Sequence, residues 1–193
     1  MIEKYVNNLV NKNIIEPGTQ EIYTYGIRQG ILIIVTIATV VGVGLVLGLL
    51  AESIVFLVTY MLIRTYAGGY HAKSQLGCYI FSTVAVTVIL LGIKHITYSC
   101  FIYLIATLIS ATVIYVLSPI ENINKPLSQK EKTLYGEKSK TLVGIFTAIS
   151  LIMWFVKVKS IAKSIVMAIL LVGVLMIIEK IINKMEDKNE KNN

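Results

Sequence analysis

The chain has 193 residues, 55% of them hydrophobic, a formal charge of +7 and a mean hydropathy of +0.74. A soluble protein of this size needs polar faces on its helices, and most of this chain lacks them, which excludes an ordinary soluble domain. The positive charge belongs to membrane topology or to attraction for anionic lipid rather than to nucleic acid, because no basic soluble domain is present to carry such a surface.

The N-terminus, "MIEKYVNNLVNKNIIEPG", is amphipathic rather than uniformly apolar, so no cleavable signal peptide is expected. Ile2, Tyr5, Val6, Leu9 and Val10 share one helical face, with Asn and Lys opposite. That pattern predicts a helix lying on the membrane surface, stopped by Glu16-Pro17-Gly18. Six apolar runs follow: Ile31–Leu50, Ile54–Tyr66, Leu76–Ile93, Cys100–Leu117, Leu142–Val156 and Ile165–Ile182. The first is twenty residues without a charge, enough at 1.5 Å per residue to cross a hydrocarbon core of about 30 Å. None alternates as a membrane strand would. The expected fold is all-α: a polytopic integral membrane protein of about six hydrophobic helices plus the amphipathic surface helix. The expected organisation is one membrane domain, with an N-terminal region 1–26, a membrane core 27–182 and a charged tail 183–193.

The second run is short and carries Arg64, so a re-entrant segment has to be weighed against a crossing. Charge decides. With six crossings and an internal N-terminus, fourteen of the eighteen Lys and Arg lie inside and four outside; without the second crossing the split is seven against eleven. The positive-inside rule favours six crossings, with both termini cytoplasmic. Residues 64–75 and the basic loop Ser118–Lys140 then share the cytoplasmic face.

Between the second and third runs lies "LIRTYAGGYHAKSQLGC". Cysteine in an apolar helix is usually packing, and Cys100 is read that way, with His95 beside Lys94 an ordinary interfacial residue. Cys78 differs because His71 precedes it by seven positions. A cysteine nucleophile needs a thiolate and a histidine to take and return a proton. In one straight helix that spacing separates the two by about 10.5 Å along the axis, beyond hydrogen-bond reach. The chain must fold back between them, and Gly68-Gly69 and Gly77 permit it. The expectation is an irregular stretch at 67–74, a helix capped near Ser74, and Cys78 near its positive end, where the dipole favours a thiolate. The blander alternative is a turn at Ala67-Gly68-Gly69 with His71 a polar interface residue. No Cys-x-x-Cys occurs and the histidines are 24 positions apart, so neither a metal nor another cofactor is expected.

The pattern Arg64, Gly68-Gly69, His71 and Cys78, with "SPIENINKPLS" after the fourth segment, resembles the accessory gene regulator B family of bacterial membrane peptidases. The length, amphipathic start and six runs fit as well. The resemblance implies an enzyme that removes the C-terminal tail of a small quorum-sensing precursor peptide and promotes closure of a thiolactone or lactone ring. It implies Cys78 as nucleophile and His71 as general base and acid. Arg64 and Gly69 match motif positions without defined roles; Arg64 either binds a precursor carboxylate or anchors at the interface. No third catalytic member is evident within 62–80. Because family precursors tend to have acidic tails, Lys125, Lys130 and Lys132 are docking candidates, against the alternative that they signal topology alone. Partners so implied are the precursor peptide, the lipid bilayer and a second copy of the chain, the last required by nothing in the sequence. A small transporter or channel, or a membrane scaffold or sensor, are the competing readings. A transporter would carry charges near the bilayer midplane, whereas the charges here lie mostly at run ends.

Overall fold

The computed structural model describes residues 2–12, 14–16, 18–69, 75–97, 99–121 and 127–192, the side chains of 75, 76, 78 and 187–192 excepted. Seven helices account for nearly all of them: α1 Ile2–Asn11, α2 Gln20–Leu47, α3 Leu50–Ala67, α4 Gln75–His95, α5 Cys100–Leu117, α6 Gln129–Phe155 and α7 Lys159–Asn192. Five of these, α2, α3, α5, α6 and α7, are long and apolar enough to cross a membrane. The protein is a polytopic all-α membrane protein, as its apolar runs imply.

α1 buries Val6 and packs on α2, where Glu3 accepts a hydrogen bond from Arg28 at 2.7 Å. Its inward face is the expected one, except that Tyr5 is exposed. α2 ends at Gly48 in the left-handed conformation (φ +71°), whose N–H reaches back to the helix carbonyls, and α3 starts two residues later. That hairpin is tight because Gly44 has no side chain: a Cβ there would overlap the Ser53 side chain. The second apolar run is therefore a complete helix of 18 residues rather than a re-entrant turn.

α7 is the central helix. Ile165, Ile169, Val172 and Met176 pack with Ile63 and Ala67 of α3, Ile114 of α5 and Val143 of α6. Ala168 joins Val40 of α2, Phe56 and Leu57 of α3, and Val86, Leu90 and Ile93 of α4. Lipid tails are as apolar as these side chains, so close packing rather than exclusion of water holds the helices together. Small residues let the backbones approach: a Cβ on Gly173 would already stand 3.3 Å from the Val113 side chain. The outward faces of α2 and α5 are apolar and exposed, Ile34, Val46, Phe101 and Val116 among them, as lipid contact requires.

A single bridge fixes the topology. Gly68, just past α3, pairs in parallel with Ile120, just past α5. The ends of α3 and α5 therefore lie together. α5 has 18 residues, about 27 Å, so α4 must carry the chain that distance away before α5 returns. α4, 21 residues long, thus runs the length of the bundle. The starts of α4 and α6 join the ends of α3 and α5 at one end.

One expectation is corrected. The basic stretch read as loop as far as Lys140 is helical from Gln129, thirteen residues before the apolar run at Leu142. Ser128 and Glu131 form a reciprocal capping box, and the residues after it are mostly good helix formers. Hydropathy located the apolar half of α6 and missed its polar first half. Likewise α7 continues through the charged tail to Asn192.

Candidate functional site

Where α3 ends, two glycines take conformations that other residues rarely adopt. Gly68 has φ +76° and ψ −156°, and Gly69 has φ +118°. The Ile120 N–H donates to the Ala67 carbonyl at 2.9 Å, and a Cβ on Gly68 would overlap the Ile120 carbonyl oxygen. A Cβ on Gly69 would stand 2.5 Å from Arg64 Nη1 and 3.3 Å from the backbone of Leu175 and Met176. The pair thus threads between the segment after α5 and the backbone of α7, with the Arg64 guanidinium folded over it. No side chain fits on either glycine without moving backbone or guanidinium.

The segment after α5 is itself seated firmly. Ser118-Pro119 is a cis peptide; the Ser118 and Ser139 hydroxyls hydrogen-bond, and Pro119 Cδ lies 3.2 Å from where a Cβ on Gly136 would stand. The Glu121 carboxylate accepts the Leu127 N–H at 2.9 Å and pairs with Lys132 at 3.0 Å. Those partners, Lys132 first, hold the Glu121 carboxyl below its ordinary value. The Glu121 carbonyl accepts a hydrogen bond from Asn183 Nδ2 at 3.0 Å, tying the segment to α7. Around this core, Tyr66 meets Tyr135 edge to face at 5.7 Å, and Lys138 stands 5.1 Å over the Tyr66 ring.

The candidates from sequence fall as follows. Arg64, Gly68 and Gly69 form one cluster. Lys132 is committed to Glu121, and Lys130 is exposed on the first turn of α6. His71 and Lys125 lie outside the described residues. Cys78 is the fourth residue of α4, so its backbone sits in the first helical turn; its side chain lies outside the described set. The helix begins at Gln75, next to the expected cap at Ser74, which also lies outside that set. Cys100 is a free, exposed thiol at the start of α5, a helix length away from this cluster. Among the described residues no His, Cys, Asp and Glu group could hold a metal.

Sequence reasoning missed two groups. Glu121 was read only as part of a loop. Glu179 was counted neither as buried nor as part of the site, yet it is 3% exposed and engaged by other groups. The signal was available: Val172, Met176 and Glu179 follow one another at helical spacing on the buried stripe of α7.

The family profile described as Accessory gene regulator B matches residues 2–182. An AgrB-like protein 2 of Clostridium perfringens (strain 13 / Type A) is 24% identical over 155 residues, covering 75% of this chain and 72% of its own. An AgrB-like protein 1 of the same strain is 31% identical over 121 residues, 62% of this chain and 63% of its own. An AgrB-like protein of Listeria monocytogenes serotype 4a (strain HCC23) is 26% identical over 141 residues, 71% and 68% of the two chains. No solved structure matches. With the profile spanning almost the whole chain, the chain belongs to the accessory gene regulator B family of the agr quorum-sensing system.

Proposed function

We propose that the protein is a membrane cysteine endopeptidase that removes the C-terminal tail of a small precursor peptide and promotes ring closure of what remains. The observation that carries this reading is the break between α3 and α4. α3 stops at Ala67, two glycines turn the chain against α7, and α4 begins at Gln75. His71 falls within the break and Cys78 in the first turn beyond it, so the pair is freed from the separation of about 10.5 Å that one straight helix would impose.

The chemistry proceeds in two transfers. The Cys78 thiolate adds to the carbonyl of the scissile peptide bond, the C–N bond breaks, and the His71 imidazolium gives its proton to the leaving amine. Backbone N–H groups at the start of α4 stabilise the developing oxyanion. An internal thiol or hydroxyl of the precursor then attacks the acyl-enzyme thioester. The ring closes, its proton passes to the base, and Cys78 leaves as thiolate. Intramolecular attack wins over hydrolysis because its effective concentration is high and a pocket at the membrane face limits water.

The site lies on the cytoplasmic face, with both termini cytoplasmic, in a single membrane domain. An acidic precursor tail meets the exposed Lys130 on the first turn of α6, with Lys125 the second docking candidate. Lys132 serves the loop instead.

Co-expression with a cognate precursor tests the reading. Wild type releases the tail; Cys78→Ala and His71→Ala, at normal membrane levels, do not. Tail release by Cys78→Ala would remove the peptidase assignment.

A further inference from the structure

Two lysines of α6 stand over aromatic rings of its neighbours. Lys138 Nζ lies 5.1 Å from the centre of the Tyr66 ring on α3, and Lys140 Nζ lies 5.0 Å from that of Tyr115 on α5. Two positions apart, they are turned about 200° round the helix, so each serves a different neighbour. Among the described residues neither has a carboxylate within ion-pair distance, unlike Lys132, which Glu121 holds at 3.0 Å. A ring face attracts the ammonium without taking up its three N–H donors.

Lys138 has the fuller surroundings. It is exposed at the mouth of the groove between α3 and α6, where Tyr66 meets Tyr135 edge to face at 5.7 Å. Tyr66 is the last residue but one of α3, so this mouth lies at the rim where α3 and α5 end. From there toward the bilayer centre both walls are apolar. On α3, Leu62 and Val58 follow Tyr66 at intervals of one turn, and both are exposed. On α6, Ile145 stands two turns beyond Lys138, about 10.5 Å deeper, and is exposed as well. From rim to interior the groove therefore offers an unmatched cation, two phenol rings and an uncovered apolar stripe.

A phospholipid has the same order from headgroup to tail. The sign of the charge selects among lipids. A zwitterionic headgroup carries its own ammonium beside the phosphate, whereas a net negative headgroup leaves its phosphate to Lys138. Lys130, assigned above to an acidic peptide tail, is eight residues earlier on α6, about 12 Å along the axis, so the two anion contacts are separate.

We propose that the groove between α3 and α6 binds one anionic phospholipid. Its phosphate sits on Lys138, its glycerol region against Tyr66 and Tyr135, and an acyl chain along Leu62, Val58 and Ile145. Tyr66 is two residues before Gly68, so an occupied groove braces the end of α3. Bound lipid stabilises the folded bundle by mass action. The inference stands apart from the peptidase reading.

The test places the full chain in nanodiscs of phosphatidylcholine, alone or mixed with phosphatidylglycerol, and follows Tm by the fluorescence of the buried Trp154. Phosphatidylglycerol is expected to raise the Tm of the wild type. Lys138→Gln is expected to lose most of that rise. Lys184→Gln, which removes the same charge from an exposed position near the end of α7, is expected to keep it. Native mass spectrometry of wild type released from mixed discs should show phosphatidylglycerol retained over phosphatidylcholine about fivefold, the gain one lysine near an anionic surface gives. Equal losses in Lys138→Gln and Lys184→Gln overturn the proposal, because they mean diffuse attraction to negative charge. An equal rise from inorganic phosphate in phosphatidylcholine discs overturns it by assigning the cation to a free anion. Loss of precursor cleavage by Lys138→Gln in phosphatidylcholine discs overturns it by assigning the cation to the peptide. Should Lys138→Gln not accumulate, wild-type retention decides alone, and parity between the two lipids defeats the site.

Discussion

Replacing Gly68 by alanine isolates the turn that ends α3. The residue sits at φ +76° and ψ −156°, a region essentially reserved for glycine, where another residue costs about 1–3 kcal/mol. The new Cβ would also overlap the Ile120 carbonyl oxygen, with the carbonyl carbon only 3.1 Å away. Relief requires the segment after α5 to retreat, which breaks the hydrogen bond from Ile120 N–H to Ala67 O, a further loss of about 0.5–1.5 kcal/mol. The sum is about 1.5–4.5 kcal/mol, concentrated at the junction of α3, the Ile120 segment and α7. At 1.4 kcal/mol per decade, the native junction becomes about ten to a thousand times less favoured. Purified protein in nanodiscs, heated while the fluorescence of the buried Trp154 is followed, should show a clear fall in Tm. Tail cleavage should fall by at least tenfold. Gly42→Ala is the matched control, since nothing lies within 4 Å of its Cβ position and alanine is the better helix former. A Gly68→Ala protein as stable and active as the Gly42→Ala protein would refute the argument that the glycine is demanded by packing.

Three other outcomes are expected. Ser128→Ala removes half of the capping box and should cost the start of α6 about 1 kcal/mol, seen as faster hydrogen exchange over residues 129–133; unchanged exchange would mean the cap is idle. The Glu121 carboxyl titrates lower folded than unfolded, so its contribution is present above the unfolded value of 4.5 and disappears as pH falls through the lower folded value. Because the pair with Lys132 is open to water, that contribution is at most about 1 kcal/mol; Glu121→Gln should lower Tm slightly at pH 6.5 and not at pH 3, and an equal deficit at both would contradict the assignment. Finally, an impermeant maleimide added outside intact cells should label Cys100 in a Cys78→Ala chain, and labelling only after permeabilisation would invert the proposed topology.

The apolar runs made the helices legible, because lipid demands length and apolarity and little else. Cys100–Leu117 matched α5 at both ends, since Ser99 caps it and Ser118-Pro119 ends it. The polar halves of α6 and α7 escaped the same reading: once a helix leaves the hydrocarbon its sequence no longer advertises it, and only the Ser128/Glu131 pair announced the start of α6. At the site, Gly68 and Gly69 stood out as a break. What they break against, the Ile120 carbonyl and the α7 backbone, is about fifty and a hundred residues distant and has no local signature. Lys132 drew attention as a free cation because pairing with Glu121 requires the intervening chain to turn back. Glu179 was counted within the apolar run Ile165–Ile182, whose composition does not tell its buried stripe from its exposed one; Lys180, about 100° round the helix, is exposed.

The lysines at the end of the bundle remote from Gly68 bear on how this chain is oriented. Lys94 donates to the Leu47 carbonyl at 2.7 Å, at the last residue of α2, and Lys163 donates to the Ile96 carbonyl at 2.9 Å, just past α4. Lys159 lies 5.2 Å over the ring of Trp154. Each ammonium thus answers a partial negative charge, at a helix terminus or on an aromatic face. Cations anchored in this way act as fasteners for the loops at that rim. Neutralising Lys94 or Lys163 should loosen a helix hairpin, whereas neutralising lysines at the opposite rim would weaken the chain's hold on its sidedness.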